Sequence, residues 1–313
     1  MCSDTSLETL ADGVLDGDSL SLARLISRIE SREPGYRDVM DGIYRRAGDA
    51  WTIGVTGPPG VGKSTLVDDL VAEFRERDQT VGIIAVDPSS PFTGGSVLGD
   101  RVRMASTISD DGVFCRSMSA RGEVGGLSNA TSDVVYLMDA FGFDVVIIET
   151  VGAGQSEIDI VRTADTVAVT VHPSAGDEVQ TIKAGILEIG DVFVVNKADL
   201  DGAEKTRQQL TKMVMRRESE SDWVPPVVAT VATEGTGTVE LVDEIHEHRE
   251  FLAAQGITRR DEMRVRNEIE MQIDSLVREQ VTARLENVDS LVDRVLAEDA
   301  SPYSIATDMT TTR

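Results

Sequence analysis

The feature that most constrains the fold is the octapeptide GPPGVGKS at residues 57–64. An apolar, β-branched segment, TIGVT, precedes it at residues 52–56, and a helix-forming segment follows it over residues 64–77. The octapeptide fits the pattern G-x-x-x-x-G-K-[ST], in which glycines let backbone N–H groups surround a phosphate at the start of a helix. A strand, this loop and a helix in succession predict a nucleotide-binding α/β domain.

Short segments rich in β-branched residues recur through the middle of the chain. They are almost continuously apolar, which is typical of strands buried on both faces of a parallel sheet. Helical patterns lie between them, so the sequence predicts a doubly wound, mostly parallel sheet of the P-loop NTPase type, with ligands at the carboxyl ends of its strands. The predicted strands are 52–56, 81–86, 144–149, 166–171, 191–196 and 227–231, and the predicted helices are 64–77, 127–141, 177–189 and 203–217.

Helical patterns also flank this core. Asp18 is a candidate N-cap for a helix over residues 18–32. Beyond Gly256, apolar residues recur every three or four positions, and this stripe is long for one face of a compact domain. It favours an arm that meets a second subunit, although a helix folded back on its own domain stays open. We therefore expect an N-terminal helical segment (1–49), a P-loop core (50–255), a C-terminal helical dimerisation arm (256–300) and a flexible tail (301–313).

Composition limits the partners. The chain has 55 acidic against 30 basic residues, which argues against nucleic acid or an anionic membrane as a partner. No apolar run approaches the length of a membrane span and the first residues lack a secretory signal, so a cytoplasmic protein is expected. Cys2 and Cys115 form neither a disulfide framework nor a zinc motif. His246 and His248 lie in an acidic helical stretch, which predicts a solvated face without a metal.

The phosphate loop assigns roles to its own residues. Lys63 places a positive charge near the β- and γ-phosphate oxygens, and the hydroxyl of Ser64 is a ligand for Mg²⁺. Glu149 ends a predicted strand, where proteins with this loop place an acid that reaches Mg²⁺ directly or through water. The residues predicted to bind the nucleotide here are Gly57, Pro58, Pro59, Gly60, Val61, Gly62, Lys63, Ser64 and Thr65.

The tetrapeptide NKAD, residues 196–199, follows another predicted strand and indicates which base is bound. Asp199 can accept hydrogen bonds from the N1–H and the amine of guanine, which adenine lacks, and such a mismatch discriminates by roughly 10⁴. Lys197 would lie along the base, and Asn196 completes the motif. The segment TVATEGTG at residues 230–237 follows the next strand, where guanine-binding folds often close a loop over the base. The sequence therefore predicts GTP and GDP as ligands.

The segment VDPSSPFTGGSVLGD, residues 86–100, has an acid near each end. Its composition favours a linker, but its place after the second core strand puts Asp87 at the metal side of the sheet. Its glycines would let the chain fold back and bring Asp100 near the γ-phosphate. We interpret it as a switch loop, with Asp100 a candidate for positioning or activating the attacking water. Asp100 is thus a candidate catalytic residue together with Lys63 and Glu149, and Asp87 is a candidate metal-binding residue together with Ser64 and Glu149.

Several motifs in this order resemble those of the MeaB/ArgK family of P-loop GTPases, to which the methylmalonic aciduria type A protein is related. They are GPPGVGKS, VDPSSPFTGGSVLGDRVRM, ETVGAGQSE, HPSAGDEVQTIKAGILEIGD and VVNKAD, and the resemblance covers nearly the whole chain. It implies a homodimeric, slow GTPase that uses Mg²⁺ and serves as chaperone to an adenosylcobalamin-dependent acyl-CoA mutase, usually methylmalonyl-CoA mutase. It also implies that Asp87, Asp100 and Glu149 surround the metal and the γ-phosphate.

The same resemblance identifies GDEVQTIK, residues 176–183, as a switch segment with Asp177 and Lys183 as its charged members. Ser174 stands where the family commonly has glycine, which would stiffen the start of this switch. Two alternatives stay open. A kinase of the ArgK transport-system type fits the phosphate loop, but no acceptor-binding element is identifiable. A nickel metallochaperone GTPase is less favoured, because such proteins usually carry clusters of Cys or His.

Overall fold

A computed structural model of the chain describes residues 5–87, 110–119, 129–150, 156–173, 184–216, 222–256, 259–284, 288–297 and 299–311. The chain divides into two compact units, Met1–Thr258 and Arg259–Arg313. In the first unit the strands are β1 (Trp51–Thr56), β2 (Val81–Asp87), β3 (Val113–Ser119), β4 (Val145–Thr150), β5 (Thr166–Val171), β6 (Val192–Asn196) and β7 (Val227–Thr230). The helices are α1 (Leu7–Leu15), α2 (Ser19–Glu30), α3 (Tyr36–Tyr44), α4 (Lys63–Glu76), α5 (Asn129–Phe141), α6 (Ser156–Thr163), α7 (Ala184–Ile189), α8 (Ala203–Val214) and α9 (Thr238–Gln255).

The described strands form one parallel sheet in the order β3-β2-β4-β1-β5-β6-β7. Helices α4 and α9 pack on one face of the sheet, and α5, α6 and α8 pack on the other. The central strands are buried on both faces, as their continuous apolar sequences predict. The doubly wound α/β fold is therefore confirmed, and it brings the carboxyl ends of β1, β4 and β6 to the same edge of the sheet.

Strand β3 was not predicted, and its position explains why. It lies at the edge of the described sheet, and among the described strands it pairs with β2 alone. Its sequence, VFCRSMS, mixes apolar and polar residues because an edge strand is not buried as completely as a central one. Arg116 on this strand forms an ion pair with Glu30 of α2, which joins the N-terminal helices to the sheet edge.

The N-terminal helices pack on α5. The predicted N-cap of one of them, α2, is confirmed. The carboxylate of Asp18 accepts hydrogen bonds from the backbone N–H groups of Leu20 at 3.3 Å and Ser21 at 3.0 Å, so it is the N-cap of α2. The connection to β1 is held by Asp139 of α5, which accepts the N–H groups of Gly48 and Ala50. Helices α1 and α3 complete the N-terminal helical segment. Only α2 was given limits from the sequence, because α1 and α3 have nine residues each and a short apolar pattern.

The two histidines of α9 contradict the prediction of a solvated face. His248 is buried, its Nδ1 lies 2.8 Å from Oγ1 of Thr166 at the start of β5, and its ring packs against Trp223 and Phe251. His246 is half-buried against Phe74 of α4, and burial lowers its pKa. Acidic residues surround both positions in sequence, but the helix is packed at both of them, against α4 at His246 and against the start of β5 at His248.

The second unit is helical and consists of α10 (Arg259–Arg284), α11 (Val288–Leu296) and α12 (Pro302–Thr311). A helix at α12 differs from the flexible tail expected over residues 301–313. The side-chain oxygen of Ser301 accepts the N–H of Ser304 at 3.1 Å, and Pro302 occupies the first helical position, so this segment has a regular helix start. No helix in the described part of the chain is long and apolar enough to cross a membrane.

Candidate functional site

The phosphate loop connects β1 to α4 at the carboxyl edge of the sheet, and close contacts explain two of its glycines. A Cβ at Gly57 would lie 2.1 Å from the carbonyl oxygen of Thr170 in β5. A Cβ at Gly62 would lie 2.7 Å from Nδ2 of Asn196, and Gly62 has a φ of 93° at the N-cap of α4. Both positions therefore require glycine, and the loop is held against the neighbouring strands.

Lys63 is the first residue of α4 and lies inside the loop. Its side chain is buried, with 6% of the residue exposed. Its Nζ donates hydrogen bonds to the carbonyl oxygens of Gly57 at 2.8 Å and Pro58 at 3.0 Å. A lysine held at this place by backbone carbonyls is available to bind an anion that enters the loop, because the ammonium group has three donors on a flexible stem.

Ser64 and Glu149 form the second polar contact of the site. The hydroxyl of Ser64 donates a 2.6 Å hydrogen bond to Oε1 of Glu149, which is buried at the end of β4. A hydroxyl and a carboxylate are the hard oxygen ligands that Mg²⁺ prefers, and Mg²⁺ usually binds through one or two carboxylates together with substrate phosphates. The described residues contain no group of three or more His, Cys, Asp or Glu that could hold a metal ion alone. The donor set fits a magnesium ion that shares its coordination with a nucleotide.

Asp68 is a member of this neighbourhood that the sequence motifs did not indicate. It follows Ser64 by four residues in α4, so the two side chains lie on the same face of the helix. Burial and, to a smaller extent, the negative charge of Glu149 raise the pKa of Asp68 to about 6. Its Oδ1 is a buried, orphaned oxygen, without a hydrogen-bond partner among the described residues. The position could have been found by counting one helical turn from Ser64.

The NKAD motif contacts the phosphate loop directly. Nδ2 of Asn196 donates to the carbonyl oxygen of Val61 at 2.9 Å, and Nζ of Lys197 donates to that of Gly60 at 2.9 Å. Lys197 has a φ of 57°, a conformation that is uncommon for a residue with a side chain. The turn at residues 197–200 is closed by a bond from the N–H of Leu200 to the carbonyl of Lys197. This turn leaves Asp199 exposed next to the loop.

The segment 230–237 joins the same group of contacts. Oδ1 of Asn196 accepts hydrogen bonds from Oγ1 of Thr230 at 3.1 Å and from the N–H of Ala232 at 3.3 Å. The N–H of Ala198 donates to the carbonyl oxygen of Thr230 at 2.9 Å, and Val231 and Thr236 form an isolated bridge. The sequence indicates that this segment follows a strand at a place where guanine-binding folds often close a loop over the base. The structure places it beside the NKAD turn.

The structure thus brings together the predicted residues of the phosphate loop, Glu149 and the NKAD motif. Asp87 ends β2, two strands away from β1, and its carboxylate is not among the described side chains. Asp100, Asp177 and Lys183 lie outside the described residues, as do Ser174 and residues 151–155. Their roles remain predictions.

Comparison with known proteins agrees with this geometry. The family described as Methylmalonyl Co-A mutase-associated GTPase MeaB matches residues 22–289. A Pyrococcus horikoshii protein named as a GTPase is 46% identical over 305 residues, 96% of each chain. GTPase ArgK of Escherichia coli is 35% identical over 259 residues, 79% of this chain and 78% of its own. The methylmalonic aciduria type A homolog of Mus musculus is 32% identical over 269 residues, 80% of this chain and 65% of its own.

Among solved structures, the crystal structure of an LAO/AO transport system kinase matches along almost the whole length of both chains. It covers 99% of this chain and 98% of its own, with a TM-score of 0.71 and 25% identity. Fold, phosphate loop and guanine-type motif therefore agree with the sequence similarity along the chain. The protein belongs to the MeaB family of P-loop GTPases.

Proposed function

We propose that this GTPase is a chaperone of an adenosylcobalamin-dependent acyl-CoA mutase, with methylmalonyl-CoA mutase as the first candidate. The observation that carries the proposal is the family match over residues 22–289, because the family is described as associated with that mutase. The name of the mouse relative refers to methylmalonic aciduria, which supports the same client. In this role the GTPase gates the loading of the cobalamin cofactor and protects the mutase.

The proposed nucleotide site uses the contacts at the carboxyl edge of the sheet. The exposed carboxylate of Asp199 binds guanine, and Lys197 lies along the base. Lys63 leaves the carbonyl oxygens of Gly57 and Pro58 and binds the phosphates, since a phosphate is the stronger partner for an ammonium group. Ser64 and Glu149 hold Mg²⁺, which supplies charge neutralisation at the β- and γ-phosphates.

Slow intrinsic turnover follows from the chemistry of phosphoryl transfer. Catalysis by such a site depends on positioning and charge stabilisation, so bound GTP persists until every group is in place. We propose that Asp87 completes the metal site and that Asp100 positions the attacking water. The segment with Asp177 and Lys183 would then couple the nucleotide state to the mutase.

Addition of the mutase is expected to accelerate GTP turnover, and GTP in place of GDP is expected to change the affinity for the mutase. Both effects come from one coupling free energy, typically about 1–3 kcal/mol, which corresponds to about 5–150-fold in affinity. Phosphate release by the full-length protein with and without purified methylmalonyl-CoA mutase measures the first effect. Binding of the mutase in the presence of GDP or a non-hydrolysable GTP analogue measures the second.

The same experiment separates a chaperone from a kinase. With γ-labelled GTP, a GTPase releases the label as free phosphate, whereas a kinase of the transport-system type transfers it to an acceptor. Label that appears in the mutase or in a small molecule would contradict the proposal. Two results together would show that the mutase is not the client: GTP turnover that is the same with and without the mutase, and an affinity for the mutase that is the same with GDP and with the GTP analogue. The assignment as a GTPase would still stand.

We also propose that the protein is a homodimer through an apolar face of α10. Large apolar side chains on one side of this helix are 41–54% exposed, which is unusual for residues at helical spacing. They recur every three or four positions, as in a helix that packs against another helix. These residues are Val265, Ile269, Ile273, Leu276 and Val277.

Substitution of Ile269 and Ile273 by glutamate is expected to convert the dimer into a monomer, because each charge would be buried in an apolar interface without a partner. Light scattering measures the change as a fall of the molar mass from twice the 33.8 kDa of the chain to that of one chain. The double leucine variant is the control, and it should stay dimeric. A wild-type monomer, or a charged variant that remains dimeric, would contradict this interface.

A further inference from the structure

Asp68 is an acid that the proposed site does not yet use. It is partly buried on α4, next in sequence to Val67, which packs in the core under the sheet. Its Oδ1 is fully buried, and no described residue donates a hydrogen bond to it. A buried carboxylate oxygen without a partner is costly, so its retention in a packed helix calls for a ligand or a function.

Two other acids of the same helix behave differently. Asp69, the next residue, accepts a hydrogen bond from the hydroxyl of Thr238 at the start of α9. Glu73 accepts a hydrogen bond from Nε of Arg77 at 2.7 Å. These two acids join α4 to its surroundings, as expected of structural carboxylates. Asp68 instead lies close enough to Glu149 for the two negative charges to interact unfavourably. Two acids near one another become favourable when a cation lies between or beside them.

We propose that Asp68 is a positioning residue of the magnesium site, which acts through a metal-bound water on the ion that Ser64 and Glu149 hold. This inference rests on the proposed use of Mg²⁺ by the site. The spacing supports it, because Asp68 lies one helical turn below Ser64 and on the same face. A carboxylate oxygen is the acceptor that a metal-bound water needs, and Mg²⁺ usually keeps several waters.

Outer residues of this kind change metal affinity without binding the metal directly. Their removal typically costs about 10–100-fold in affinity for the metal. A purely structural carboxylate would act differently: its loss would lower the thermal stability of the nucleotide-free protein and leave the magnesium dependence unchanged. The two roles can therefore be separated in one set of variants.

The test compares Asp68→Asn with Asp69→Asn in the full-length protein. The binding of fluorescent GDP is measured in EDTA and across a magnesium titration, and Mn²⁺ binding to the GDP complex is followed by electron paramagnetic resonance. For Asp68→Asn we expect unchanged GDP affinity in EDTA and a magnesium midpoint about 10–100-fold higher. The Mn²⁺ affinity should fall in parallel. Its melting temperature without metal should be equal to or higher than that of the wild type, because a buried unpartnered charge has been removed. Asp69→Asn should keep the wild-type magnesium midpoint.

Two further variants serve as controls. Ser64→Ala should raise the magnesium midpoint and so show that the assay reports on this site. Asp68→Glu, which keeps the carboxylate, should recover part of the lost magnesium affinity. An Asp68→Asn protein with the wild-type magnesium midpoint, or one that loses GDP affinity equally in EDTA, overturns the inference. A wild-type protein whose GDP binding ignores Mg²⁺ also overturns it, and shows in addition that the proposed use of magnesium is wrong.

Discussion

Replacement of Lys63 by alanine is expected to slow GTP hydrolysis by about 10²–10³-fold and to weaken GTP binding. Lys63 is the positively charged residue of the phosphate loop, and its ammonium group bonds the loop's own carbonyl oxygens at Gly57 and Pro58. Alanine removes this charge but is the residue that helices favour most, so α4 should keep its first turn. Phosphate release measures the rate, and calorimetry measures the affinity for GTP.

The matched control is Lys205→Ala, the same change at an exposed position of α8. This variant should hydrolyse GTP as the wild type does. Lys63→Arg should remain impaired, because a planar guanidinium does not replace a compact ammonium inside a narrow loop. If Lys63→Ala and Lys205→Ala hydrolyse GTP equally fast, the loop at residues 57–64 does not hold the phosphates and the site assignment is wrong.

The core of the fold could be predicted because its strands have a simple environment. A strand buried on both faces is apolar throughout, so residues 166–171 were predicted with the same limits as β5. The edge strand β3 lacks this signature, since Arg116 and Ser117 are polar and only partly buried. The tail helix α12 was missed for a related reason, because its start depends on the cap formed by Ser301 and not on an apolar run.

The parts of the site that lie in contiguous motifs could be predicted from the sequence. The contacts between segments that are far apart in sequence could not. The phosphate loop and the NKAD segment can be identified from short patterns. The bonds that Asn196 makes to Val61 and Thr230 connect three segments far apart in sequence, and no local pattern predicts them. Asp68 falls between these cases, since the helical period relates it to Ser64 but only the structure shows that its Oδ1 is buried without a partner among the described residues.

His248 is a residue whose burial was predicted wrongly from the sequence. Its sequence neighbours are acidic, which is typical of a solvated helix face, and the composition of the stretch favoured that interpretation. The position follows Ile245 by three residues and Leu241 by seven, all buried, so the apolar period of α9 includes it. For α9, the spacing of apolar residues therefore predicts the buried face of the helix better than the charge of neighbouring residues does.

Replacement of Asp199 by asparagine is expected to weaken GTP binding by about 10²–10⁴-fold, because each of two hydrogen bonds to a charged acceptor contributes about 1.5–3 kcal/mol. The asparagine carboxamide has one acceptor and one donor, so its NH₂ group would face the amine of guanine. Xanthine carries a carbonyl where guanine has that amine, and the variant should therefore prefer xanthosine triphosphate. Competition of GTP, ATP and xanthosine triphosphate for a fluorescent nucleotide measures the change.

The structure makes this substitution a clean test of base recognition. The turn that carries Asp199 is held by Asn196 and Lys197, whose bonds to the phosphate loop do not involve the Asp199 side chain. Loss of GTP affinity with gain of xanthosine triphosphate affinity would then report on the base alone. Asp201→Asn, an exposed acid two residues further on, is the control and should keep the GTP preference. If Asp199→Asn loses affinity for all three nucleotides equally, the turn has been disturbed and Asp199 does not select guanine.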